Sequence, residues 1–169
     1  MSGKRRALVV VIAATVAVMI GAAVSSAAPK PQTISLLEVD NSFVGTGGFP
    51  TTSNAPPAVG QGFVSTGVLY KWAGTKKGAA YGNIRVVCTV TSVNLTNTGG
   101  TIWTSCDVSF FLPGGVIALS GPLNLTAPSS NVPVVGGNGA YVGAEGVVNH
   151  RNIGGENSST SADVIHITN

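Results

Sequence analysis

The 169 residues include nine Lys or Arg, six Asp or Glu, 23 Gly and two Cys. Charged side chains are too sparse to clothe helix surfaces, and two cysteines are too few for a disulfide-scaffolded miniprotein. Lys4, Arg5 and Arg6 all lie in an apolar leader that holds no acid, so the remaining chain carries six basic against six acidic groups. A formally neutral domain lacks the footprint of a nucleic-acid binder or of a protein held to an anionic membrane surface.

Residues 1–27 read as a cleaved signal peptide. Lys4 to Arg6 form a charged start, Ala7 to Val24 is an unbroken run of apolar and small residues, and Ser25-Ser26-Ala27 offers the small side chains a signal peptidase reads. A retained membrane anchor is the competing reading, because the run approaches bilayer-spanning length. The small-residue exit, with no basic stop-transfer cluster behind it, favours removal and an extracellular product. Taking 27 of the 169 residues away leaves 142, residues 28–169, enough for one domain with a real core.

Thr33 to Val39 alternates as the first strand. If Ile34 and Leu36 face the core, Glu38 faces it too, and desolvation would raise its pKa toward proton-transfer chemistry. If Leu37 and Val39 face inward instead, Glu38 is solvated; alternation leaves both open. Asp40 to Gly60, rich in Gly, Pro, Thr and Asn, is expected to be a long loop anchored by Phe43 and Phe49. Gln61 to Trp72 is the second strand, and Lys71 to Tyr81 a small basic loop.

Asn83 to Leu95 and Thr101 to Leu112 form the clearest hairpin. Cys88 and Cys106 lie nine residues to either side of Asn97, so an antiparallel register sets them opposite one another. An exported chain meets oxidising conditions, which makes a Cys88–Cys106 disulfide the expectation. It closes a loop of 19 residues and contributes about 3 kcal/mol in the chain-entropy model. The alternative is a free thiol lining a cavity. Along the fourth strand Thr104, Cys106, Val108, Phe110 and Leu112 share the better core face. Val116 to Leu125 is the fifth strand, with Ile117 and Leu119 inward.

Val132 to Gly146 reads as strand, tight turn, strand. Gly136, Gly137, Asn138 and Gly139 make the turn, and Gly143 and Gly146 fall inside the seventh strand as bends or bulges. A phosphate-cradling loop is the rival, but the glycine spacing misses the dinucleotide pattern and Val147-Val148 continues as strand where a helix N-terminus is needed. Gly154 to Ser161 is a polar loop, and Asp163 to Thr168 an eighth strand. His150 and His166 have no partner at ligand spacing, so no metal and no cofactor are expected, and no Gly-x-Ser-x-Gly elbow is present. Eight short strands with tight turns and no credible helix argue an all-β fold, a single closed antiparallel barrel, which removes sheet edges and either packs solid or holds one small ligand.

Ser109-Phe110-Phe111-Leu112, then Gly114 to Pro122, then the block Pro133 to Gly146, with Gln61-Gly62-Phe63 and Glu38-Val39-Asp40 upstream, resemble the allene oxide cyclase and dirigent protein superfamily. The resemblance implies a calycin-type eight-stranded barrel, commonly trimeric, with an apolar cavity at one mouth. In the cyclases that cavity holds an unsaturated fatty-acid epoxide; in dirigent proteins it orients phenoxy radicals. Glu38 matches the cyclases' catalytic glutamate and Cys88 a cavity cysteine. Asp40 and Gly67 stand where asparagines are expected, and Glu145 takes the place of a dirigent cavity arginine. The resulting expectation is a secreted barrel binding a small apolar molecule. The alternatives are an isomerase using Glu38 and a ligand-free surface protein with a solid interior.

Overall fold

In the computed structural model, residues 29–51, 55–96, 99–153 and 159–169 are described. The signal-peptide expectation for residues 1–27 lies outside them. The elements are β1 (Gln32–Thr46), β2 (Gly62–Trp72), β3 (Lys77–Thr96), β4 (Gly99–Leu112), β5 (Gly115–Asn124), β6 (Ser129–Gly137), β7 (Gly146–Asn152) and β8 (Thr160–Ile167), with one 3-10 turn at Gly139–Tyr141. Each strand pairs antiparallel with the next and β8 returns to β1, closing an eight-stranded barrel.

Alternation decides the interior. Ile34 and Leu36 on β1, Leu69 on β2, Ile84 on β3, Phe110 and Leu112 on β4, Ile117 on β5 and Ile165 and Ile167 on β8 form one buried cluster. Together they fill one half of the barrel with branched and aromatic side chains, each contributing about 1.5–3 kcal/mol by burial. Cys88 pairs across the ladder with Cys106, and the two form a disulfide inside the wall. The hairpin register read from the cysteine spacing therefore holds, with one bulge between Val90 and Ser92.

Three expectations change. The basic loop is shorter than Lys71 to Tyr81, because β2 runs to Trp72 and β3 begins at Lys77. The segment after Asp40 is not loop from the outset: β1 runs on to Thr46, pairing with β2 down to Thr46–Gly62. Its ladder slips by one residue between Asp40 and Ser42. The extra residue switches which parity faces inward, so Asp40 before the bulge and Phe43 after it both reach the cavity.

The glycine block is not a tight hairpin either. Gly136 and Gly137 pair with β5, Val134 pairs with Gly146, and the residues between form the 3-10 turn and a further turn. Gly143 thus lies outside the seventh strand, at φ +73, and Gly146 begins it. The reason is Tyr141, which is buried against the core rather than displayed at a hairpin tip. Its hydroxyl donates to the Pro113 carbonyl at 3.5 Å. The Val116 and Ala140 amides donate to the Asn138 side chain and the Gly114 carbonyl, tying this loop to the β4–β5 turn.

Substitutions separate these glycines. Gly143→Ala meets open space and pays only for its positive φ, about 1–2 kcal/mol. Gly146→Ala also drives its Cβ into the His166 carbonyl, so its urea midpoint should fall clearly further; equal losses would refute this account. Replacing Cys88 and Cys106 together by Ala should lower unfolding free energy by about 3 kcal/mol in urea titrations.

Candidate functional site: a one-sided polar cavity

The half of the barrel not filled by the core cluster contains a cavity of about 180 Å³. Its wall is divided. Strands β3 to β6 contribute apolar side chains, among them Val86, Val108, Leu119, Leu123 and Val132. The polar lining comes from four contiguous strands: His150 and Asn152 on β7, Thr160, Ser161 and Asp163 on β8, Glu38 and Asp40 on β1, and Ser65 on β2. At the rim, Phe43 and Phe63 stack with ring centroids 5.0 Å apart, and Phe49 meets Phe63 edge-on.

Closure of the barrel assembles the polar group. Glu38 is paired with Ser161, and Asp163 with His150, by strand register. The Ser161 hydroxyl donates to Glu38 Oε2 at 2.9 Å. His150 Nδ1 meets Asp163 Oδ1 at 2.9 Å, with Asp163 buried and the imidazole about one-third exposed. The other Asp163 oxygen, Oδ2, is buried with no fixed donor among the described residues, and Glu38, when it carries its proton, hydrogen-bonds the Asp163 side chain. On β2, Ser65 donates to Asp40 Oδ1 at 2.6 Å.

Burial pushes the Glu38 carboxyl well above the ordinary carboxylate range, and the charges of Asp163 and Asp40 push it the same way against the Ser161 hydrogen bond. For His150, burial alone acts downward, but the hydrogen bond and charge of Asp163, with Asp40 behind, hold the imidazole above its ordinary value. Both shifts favour the protonated forms, a Glu38 acid and a His150 imidazolium, on either side of Asp163. A neutral buried acid donates a hydrogen bond, and can donate a proton, to a ligand atom placed against it.

Of the residues singled out from sequence, Glu38 and Asp40 line the cavity. The interior disulfide leaves no thiol: Cys106 reaches the lining while Cys88 does not. Gly67 sits on the inward face of β2 opposite Asp40, where a side chain would strike the Val39 carbonyl and Ile84, so Ser65, two residues earlier, supplies the polar group. Glu145 is outside the site. It is exposed just before β7, at the far end of that strand from His150, because the seventh strand starts later than the hairpin reading required.

His150, Ser161 and Asp163 were not legible as a site, since no local spacing links them. The alternation Ser161-x-Asp163 ahead of Ile165 was the available signal. Glu38, His150 and Asp163 also place one donor atom each within 4.8 Å of one another, the group among the described residues that could hold a metal ion. His150 therefore does have carboxylate partners, brought by register rather than by sequence spacing.

No protein-family model and no curated protein matches the sequence. Solved structures do match in fold. A pyocyanin demethylase superposes with a TM-score of 0.61 at 17% identity, over 81% of this chain and 100% of that one. An exo-specific intermolecular Diels-Alderase gives 0.57 at 16%, over 81% and 98%. A pterocarpan synthase dirigent protein gives 0.56 at 14%, over 82% and 87%. The molecule is thus a closed antiparallel barrel whose fold is similar to that of these three proteins.

Both raised groups bind more protons in the folded than in the unfolded state, so stability must fall as pH rises, first above the ordinary carboxylate range and then through the raised His150 value. Urea midpoints measured from about pH 5 to about pH 9 should decline for the wild type. Glu38→Gln, which mimics the neutral acid, should flatten the Glu38 part of that decline; an unchanged slope would show that Glu38 is not held protonated.

Proposed function

We propose that this protein is a secreted barrel that binds a small, largely apolar molecule, with the ligand's polar end directed at Glu38, Asp163 and His150. The observation that carries this reading is the one-sided lining: an apolar wall from β3 to β6 faces a buried polar group from β7, β8, β1 and β2. Few convergent polar groups in an otherwise apolar hollow are the usual make-up of a small-molecule site. A volume of about 180 Å³ compares with the roughly 150 Å³ cavity that accepts benzene, so one or two rings fit inside while the remainder of a larger ligand emerges past Phe43 and Phe63. The names of the fold neighbours, a demethylase acting on pyocyanin and a Diels-Alderase, are those of proteins that handle small organic molecules.

Secretion after cleavage behind Ala27 belongs to the proposal, and the Cys88–Cys106 disulfide fits an oxidising compartment. Among the described residues no helix is long and apolar enough to cross a membrane. A homotrimer, implied by the resemblance to the cyclase and dirigent superfamily, is part of the same reading.

A second reading, an isomerase of the allene oxide cyclase type, is favoured by one observation: Glu38 is a buried neutral acid backed by the Asp163–His150 pair. In that reaction Glu38 would polarise the bound substrate through its acid proton while the cavity holds it folded.

At least one member of a panel of neutral, cationic and anionic aryl and alkyl compounds should stabilise the mature protein, by about 2.7 kcal/mol at a hundred-fold excess over Kd. Val108→Phe, which fills the apolar wall, should abolish that stabilisation with the fold intact. No thermal shift with any compound would refute the binding site. For the isomerase, Glu38→Gln should end turnover of an unsaturated fatty-acid epoxide while ligand binding persists, and equal turnover by the two proteins removes that reading.

A further inference from the structure

The six acidic residues of the whole chain are unevenly placed: three of them, Glu38, Asp40 and Asp163, line the one cavity described above. Among the described residues no lysine or arginine joins them there, and His150 is the only basic side chain in the lining. With Glu38 protonated, the Asp40 and Asp163 carboxylates face a single imidazolium, so the hollow carries net negative charge within low-dielectric walls.

The hydrogen-bonding inventory points the same way. The Ser161 hydroxyl is committed to Glu38, the Ser65 hydroxyl to Asp40, and His150 Nδ1 to one oxygen of Asp163. Asp163 lines the cavity, and a protonated Glu38 hydrogen-bonds its side chain, so these donors are spent on carboxyl groups and are not left for an anionic ligand. A cationic head group is attracted by Asp40 and Asp163, whereas an anionic one meets like charge. The rim offers two stacked phenyl faces, Phe43 and Phe63, surfaces that attract both flat aromatic rings and organic cations.

The geometry points to a ligand of defined class: an organic cation, a protonated amine or a protonated nitrogen heteroaromatic, whose apolar body lies on β3 to β6 and whose nitrogen faces the acidic side of the hollow at Asp40 and Asp163. Carboxylate ligands, free fatty acids included, are rejected by the same charges unless their acid group stays outside the mouth. The inference rests on the ligand-binding reading above and gives it a chemical identity.

Three probes with one body and different heads test it: 2-naphthylmethylammonium, 2-naphthylmethanol and 2-naphthoate, titrated calorimetrically into the mature protein at neutral pH. The ammonium should bind about ten-fold or more tightly than the alcohol, and the carboxylate more weakly than either. In Asp163→Asn the preference of ammonium over alcohol should fall to about three-fold or less while the alcohol keeps its affinity. Should that variant fail to fold, Asp40→Asn, at the more open end of the polar wall, should lower the same ratio. Equal binding of alcohol and ammonium, or tighter binding of the carboxylate, overturns the cation assignment and leaves the binding site standing. Absence of binding by all three removes both.

Discussion

Pairing of β8 with β1 is the contact on which this molecule depends. Eight meandering strands left open would expose two edges, each a row of unpaired amides and carbonyls that invites association. Closure from Gln32–Ile167 to Val39–Thr160 satisfies both edges at once. The same ladder brings Glu38 and Ser161, 123 residues apart, within hydrogen-bonding distance. The polar group is therefore a product of closure, and it exists only when the final strand is in register.

Division of the interior follows from what each end contains. One half is filled by branched and aromatic residues, with Tyr141 folded in against them and the Asn138–Val142 loop fastened to the β4–β5 turn. The other half has hydroxyls or carboxyls at Ser65, Ser161 and Asp163, side chains too short to meet across the barrel. The cavity is what remains between them. The disulfide, set in the wall between β3 and β4, holds the rim of that hollow together without adding a reactive thiol.

Burying carboxyl groups beside one another is expensive unless protons or partners offset the charge. Here the Glu38 carboxyl is held toward its protonated form and hydrogen-bonds Asp163, His150 pairs with Asp163, and Ser65 satisfies Asp40. This acidic cluster lines the cavity with no lysine or arginine beside it among the described residues. Its position on the cavity wall gives the ligand reading its chemical direction, because electrostatics, not cavity shape, sets the preferred head group.

The sequence by itself determined the barrel, the strand count, the β3–β4 register and the disulfide. Those depend on period-two alternation, turn residues and the symmetric spacing of Cys88 and Cys106, all local in the chain. It left Glu38 undecided between core and solvent, since both parities of Thr33 to Val39 are largely apolar, and Leu37 is in fact buried on the other face. The bulge beyond Asp40 and the inward fold of Tyr141 were decided by tertiary structure, because each responds to a neighbour distant in sequence: a slipped ladder with β2, and a core already filled by other strands. So was the alliance of Glu38, His150 and Asp163. No spacing rule joins residues on the first and last two strands of a barrel; only the register in which the sheet closes does so, and that register is a property of the whole circle of hydrogen bonds.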